Sequence, residues 1–245
     1  LPRAIPESDR GPADGVGLNV MTVNVFLGDA DAADIVRLVR ERDIAVLAVQ
    51  EFSPGSRSGL QAAGIDELLP YQALAEEPGA TGSGLYSRYP MTTQGSRRGA
   101  DTAEQEGNQQ TYATIQPPGA GEVFVESVHP MAPYSGSALP SWRRDLADLP
   151  RADPNGTPRI LLGDFNSTLD HEAVRKVIAG GYRDVADVTG KGLSGTWGPF
   201  GGFPPITLDH VLVDDRIGIR DVQIIDVTGS DHRSVVASLT VPAAG

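Results

Sequence analysis

RILLGDFNSTLDH (residues 159–171) begins as an apolar strand and breaks into acids and amides. Residues 159–163 read as a buried strand. Asp164 and Asn166 stand two apart at its edge, so they project to one side of the chain. A core strand that ends this way is delivering an acid and an amide to the rim of a sheet.

The flanking sequence says what kind of sheet this is. LNVMTVNV (18–25) is rich in β-branched residues and predicts a buried strand. DADAADIVRLVRERD (29–43) follows, with Ile35, Val36, Leu38 and Val39 at helical spacing and acids in its first turn. IAVLAVQ (44–50) predicts a second strand, and the order strand, helix, strand is an α/β signal. Further strands are expected at 82–87, 108–116, 121–128, 207–213, 217–225 and 233–241, and helices at 57–69, 138–149 and 170–179. Several central strands succeed one another without helices, so the pattern fits mixed sheets with helices outside. Residues 1–17, rich in Pro, Gly and Asp without periodicity, read as a disordered or extended tail. Residues 18–245 read as a single domain, with the Gly/Pro-rich 198–205 as a long surface loop.

Composition narrows the chemistry. Of 245 residues, 20 are Lys or Arg and 32 are Asp or Glu, so the net charge is 20 − 32 = −12. An acidic surface repels polyanions and gives no long-range steering toward nucleic acid. Turnover of DNA or RNA then needs a local basic cleft or bound metal. The absence of Cys excludes disulfides, thiolate metal sites and thiol nucleophiles. No run of 18 apolar residues exists to span a membrane. The chain opens Leu1-Pro2-Arg3 without Met, and the expectation is a processed or cut chain whose signal or anchor lay upstream.

The polar residues that end apolar runs form a set. Asn24 closes the first strand, Gln50-Glu51 the second, His129 the run VFVESVH, and Asp164 with Asn166 the opening stretch. Asp209 and His210 begin LDHVLV, and Asp231-His232 precede RSVVASL. A carboxylate at a strand end is ordinarily a turn or cap residue, and a single His is ordinarily a hydrogen-bonded neighbour. Several strand ends carrying this chemistry imply one acidic pocket with two imidazoles. Hard divalent cations take oxygen ligands of this kind and stabilise charge on a phosphate ester. A His oriented by an Asp can move a proton, and amides can hold a phosphoryl oxygen.

The pieces MTVNV, VLAVQEF, GSGLYSRYP, VESVHP, ILLGDFNST, TLDHVLV and GSDHRSVV, in this order across residues 18–239, resemble the endonuclease/exonuclease/phosphatase superfamily. The resemblance implies an α/β fold, a four-layer α/β/β/α sandwich with two mixed β-sheets. It implies Glu51 as the principal metal ligand, with Asn24 and Asp231 close to the same ion, which would be Mg²⁺ or Mn²⁺, or Ca²⁺. Asp164 and Asn166 would position the attacking water and the phosphate. His232, oriented by Asp209, would be the general base or a phosphate contact, and His129 the complementary acid. His210 reads as a structural neighbour of Asp209, while Arg88, Arg233, Tyr134 and Trp197 could line a cleft but read first as packing or surface.

The family divides by substrate, and here the chain is quieter. Gln50-Glu51-Phe52-Ser53 departs from the QETK-like stretch of abasic-site enzymes, and Asp209-His210 from the Asp-Arg of inositol phosphatases. The expectation is a metal-dependent phosphodiesterase, first a nuclease acting on DNA or RNA. The alternative is a phosphomonoesterase or a phospholipase C-type (sphingomyelinase-like) hydrolase, for which GPFGGFPP (198–205) is a short candidate for a membrane hairpin. A non-enzymatic binding module is opposed by the intact Glu51, Asp164, Asn166, Asp231 and His232. VHPMAPYSGSALPSWRRDL (128–146) resembles bacterial members placed outside the cytoplasm. With the Arg-rich composition, it favours a secreted or membrane-anchored enzyme; separately, a monomer without a stable protein partner is expected.

Overall fold

Alternation along single strands sets the layers. The computed structural model describes residues 2–4, 11–12, 14–199 and 204–244. β1 (Val16–Asn24) turns Leu18 and Val20 to one buried face and Met21 and Val23 to the other. β2 (Val46–Gln50) does the same with Val46 and Ala48 against Leu47 and Val49. A strand apolar on both faces must lie between two layers. One face meets a second sheet, and the other is covered by α1 (Ala32–Glu41), α2 (Pro54–Ala62) and α3 (Ile65–Leu68). The second sheet repeats the logic. In β8 (Arg159–Asp164), Ile160 and Leu162 face the first sheet, while Leu161 packs under α4 (Leu139–Ala147) and α5 (Glu172–Ile178). This is the four-layer α/β/β/α sandwich expected from the sequence.

The remaining strands are β3 (Tyr71–Ala75), β4 (Ser83–Ser87), β5 (Met91–Arg98), β6 (Gln109–Ile115), β7 (Val123–Val128), β9 (Tyr182–Asp184), β10 (Asp209–Asp214), β11 (Gly218–Asp226) and β12 (Arg233–Val241). Both sheets have six strands, in the orders β11-β12-β1-β2-β4-β3 and β5-β6-β7-β8-β10-β9. Each holds one central parallel pair, β1 with β2 and β7 with β8, and every other pairing is antiparallel. A helix links the members of each pair, α1 in one and α4 in the other. The sheets therefore share one pattern of strand directions. Asn24 and Asp164 end β1 and β8, Glu51 and His129 directly follow β2 and β7, and at the same edge Asp209 begins the antiparallel β10 while His232 directly precedes the antiparallel β12.

The sequence expectation missed β3, β5, β9 and the short α6 (Val185–Val188), and it merged α2 and α3 into one helix over 57–69. β3, β5 and β9 are all sheet edges, and MTTQGSRR of β5 is largely exposed, so it lacks the apolar alternation by which strands are read. The 57–69 helix is broken at Gly64, which takes φ 91° before α3. Its start was recoverable from Ser53 and Pro54. Ser53 accepts from the Ser56 amide in a capping box, and Pro54 takes the first helical turn. The expected tail of residues 1–17 falls partly outside the described residues, but Arg3 donates to the Leu169 carbonyl and pairs with Asp170. Phe200 and Phe203 of the candidate hairpin lie outside the described residues. Among the described residues, no helix is long and apolar enough to cross a membrane.

Candidate active site

Strand register brings the acids together. Asp164, at the end of β8, lies directly opposite Asp209, at the start of β10. Like charges in that position repel, and an imidazole lies between them. His232 Nδ1 is 2.8 Å from Asp209 Oδ2, and its Nε2 is 3.7 Å from Asp164 Oδ2. His129 Nε2 approaches the same Asp164 oxygen at 3.8 Å from the β7 side. Gly163 lets β8 lie close to β7 here, because a Cβ at this position would sit 1.9 Å from the Val128 carbonyl oxygen.

The β1–β2 side is tied in by amides. Asn24 Nδ2 donates to Glu51 Oε1 at 3.1 Å and to Asp164 Oδ2 at 3.2 Å, so one side chain spans both sheets. The Phe26 amide donates to Asn24 Oδ1 and thereby fixes which end of the amide faces the acids. Asn24, expected beside the cation, thus shows its nitrogen rather than its oxygen to Glu51. Glu51 follows β2 with φ 58°, and its Oε2 accepts from the Leu27 amide at 2.7 Å. Phe26 and Leu27 also have positive φ, and such backbone strain concentrates at functional sites. Beneath them, Gln50 accepts from Thr22 and donates to Ser127 on the other sheet. Asn166, at φ 47°, gives its backbone amide to Asp164 Oδ1 and its side-chain amide to the Pro130 carbonyl.

Burial and charge give the two imidazoles opposite characters. His129 is fully enclosed, and its Nδ1 has no hydrogen-bond partner. Burial pushes its pKa down, with Asp164 opposing and His232 adding to the fall. Burial also opposes charge on His232, but Asp209 and Asp164 overcome it and hold the pKa up to about 10. Burial raises the Asp164 carboxyl, against the pull of His232. The surroundings therefore bias the two rings in opposite directions, His232 toward the charged form and His129 toward the neutral one. A dication nearby would lower both.

The other His and Arg residues divide clearly. His210 is buried between Asp184, at 2.9 Å, and the Ser167 carbonyl, at 2.7 Å, which makes it structural as expected. Arg88 pairs with Asp43, Arg97 with Glu126, Arg98 with Glu77 and Arg233 with Asp226. Arg143 lines a groove of about 730 Å³ beside α4 and α5 on the outer face of the second sheet. Tyr134 is 58% exposed on the loop after His129. Trp197 lies against the site, its indole N–H donating to Asp231 Oδ2 at 3.0 Å. Two residues were missed from sequence. Thr196 Oγ1 accepts from the Asp209 amide, and Ser230 Oγ donates to the Asn24 carbonyl while accepting from the His232 amide. Only the run GTW before LDH hinted at the first.

Residues 21–232 match the Endonuclease/Exonuclease/phosphatase family. The chain belongs to that family. No curated protein matches it significantly. Solved structures with the same fold include a family member from Leptotrichia buccalis, with a TM-score of 0.70 and 14% identity over 91% of this chain and 99% of that one. A mutant beta toxin from Staphylococcus aureus with bound magnesium ions has a TM-score of 0.67 and 15% identity over 91% and 99%. A humanized D. rerio TDP2 has a TM-score of 0.73 and 16% identity over 91% and 98%. As a family member, the protein is a metal-dependent phosphoester hydrolase.

The residues suit a hard cation. The Oδ1 atoms of Asp231 and Asp209 are buried without a hydrogen-bond partner, and a buried carboxylate oxygen left alone is costly. Asp164, Asp209 and His232 have potential ligand atoms within 4.8 Å of one another. Hydrogen bonding already engages that trio, since His232 Nδ1 holds Asp209 Oδ2. An imidazole bonded to Asp209 and facing Asp164 is arranged as an acid–base pair. Glu51 and Asp231 also offer carboxylate oxygens of the kind that hard cations take.

Proposed function

We propose that this protein is a divalent-metal-dependent phosphodiesterase. The observation that carries this reading is the Asp209–His232 pair facing Asp164, with a second, electrically different imidazole at His129 across the same carboxylate. Monoester and diester hydrolysis alike need charge stabilisation, an activated water and a proton for the departing alkoxide, which a dedicated proton-transfer group supplies. A diester carries less negative charge than a monoester, so a site lined by Glu51, Asp164, Asp209 and Asp231 repels it less.

Glu51 and Asp231 would hold the cation, Mg²⁺ or Mn²⁺, with Asn24 fixing Glu51 relative to Asp164. Bound there, it offsets the charge that builds on the phosphoryl oxygens. Asp209 keeps His232 Nδ1 protonated and aims Nε2 at the reacting centre. His232 gives its Nε2 proton to the departing alkoxide, and Asp164 takes the proton of the attacking water. His129, neutral and without a carboxylate on Nδ1, donates its Nε2–H to a phosphoryl oxygen. Asp164 and Asn166 orient the water, the Asn166 side chain being anchored on Pro130.

Nucleic acid remains the first substrate to try, but the pairing of Arg88, Arg97, Arg98 and Arg233 with acids favours a second reading, a smaller diester of the phospholipase C type. A panel of plasmid DNA, RNA, a chromogenic bis-ester, a monoester and sphingomyelin with Mg²⁺, Mn²⁺ and Ca²⁺ tests both. Hydrolysis of the monoester alone would refute the phosphodiesterase reading. Salt dependence adds a second measure. With so few cations to spare, log-affinity for DNA should fall against log[salt] with a slope for roughly two to four phosphates. A slope for about six or more would instead reveal an arginine groove and favour the nuclease.

A further inference from the structure

Residues 195–197 brace the starts of both strands that deliver the acid–base pair. Thr196 Oγ1 accepts from the Leu208 and Asp209 amides, each at 3.0 Å, and so fixes the start of β10. The Thr196 carbonyl accepts from the Arg233 amide at 2.7 Å, and the Gly195 carbonyl accepts from the Arg233 guanidinium. Trp197 bridges to both Ile206 and His232, and its ring is tilted 46° to the imidazole at 6.3 Å. Its indole N–H takes one oxygen of Asp231 and leaves the other, Oδ1, buried and without a partner.

We propose that Trp197 is a positioning residue for the cation: it holds Asp231 Oδ2 so that Oδ1 is presented to the metal. The inference rests on Asp231 being a ligand. Its physical basis is that a carboxylate fixed at one oxygen binds through the other without losing rotamer freedom at that moment. Partners that orient a metal ligand through its second atom commonly contribute 10- to 100-fold in affinity. Indole suits the task because it donates a single hydrogen bond and accepts none, so it cannot compete with the carboxylate for the ion. Trp197 itself touches neither metal nor substrate in this account.

The test is calorimetric titration of the full chain with Mn²⁺, alongside the Mg²⁺ dependence of hydrolysis. Trp197→Phe should weaken Mn²⁺ binding about tenfold and raise the Mg²⁺ midpoint equally, with kcat at saturating metal within about threefold of the parent. Replacing Trp197 by benzothienylalanine, which keeps the shape of indole and puts sulfur where the N–H was, should reproduce the loss with an unchanged Tm. This second variant decides the matter if Trp197→Phe folds poorly. Unchanged Mn²⁺ affinity in the benzothienylalanine protein would overturn the proposal and leave Trp197 as packing. Asp231→Asn is the control: if it binds Mn²⁺ as the parent does, the assignment of Asp231 as a ligand fails first and takes the role of Trp197 with it.

Discussion

His232→Ala is expected to lower kcat by at least about 10²-fold, the usual scale for a group that moves a proton in the transition state. The substitution also removes the charge between Asp164 and Asp209, two carboxylates set directly opposite in the β8–β10 register. Part of the loss will therefore be electrostatic. Leaving-group dependence separates the two. If His232 carries the proton, the loss should be far larger for an unactivated alkyl ester than for a nitrophenyl ester, which needs little protonation. His129→Ala should cost both esters about equally, because its unpartnered Nδ1 and depressed pKa describe a neutral donor to a phosphoryl oxygen. The reverse pattern, with His129→Ala selective for the poor leaving group, would restore to His129 the acid role that the family resemblance assigns it.

Removing the metal should have the largest effect. Excess chelator should abolish hydrolysis, and Mg²⁺ or Mn²⁺ should restore it, as oxygen donors select such ions. Glu51→Gln should weaken metal binding, shifting the Mg²⁺ midpoint well upward while the fold is retained. Glu51 lies at the end of β2, outside the apolar layers, and the Leu27 amide can still donate to the amide oxygen of Gln. Full activity in chelator would remove the metal-assisted mechanism.

Much of the candidate site was legible because its polar side chains interrupt apolar runs. Glu51 after VLAVQ, Asp164 after ILLG and His232 before RSVV are polar residues where a core strand has just stopped or is about to begin, and a sandwich brings those ends to one edge. The illegible parts depend on contacts between distant residues. Trp197 reaches Asp231 across 34 residues and Thr196 reaches Asp209 across 13, and no spacing rule links them. The different surroundings of His129 and His232 were equally hidden. Both follow a strand-end pattern, yet only His232 has a carboxylate on Nδ1. β3, β5 and β9 escaped because an edge strand needs no two-sided apolar alternation, and Gly64 hid the break in one helix.

The most direct measurement is the anomalous scattering of Mn²⁺ in crystals of the protein. The peak should lie against the carboxylates of Glu51 and Asp231, with His232 Nδ1 still bonded to Asp209. A peak enclosed by Asp164, Asp209 and His232, with the Asp209–His232 bond broken, would contradict this division between a cation site and an acid–base pair.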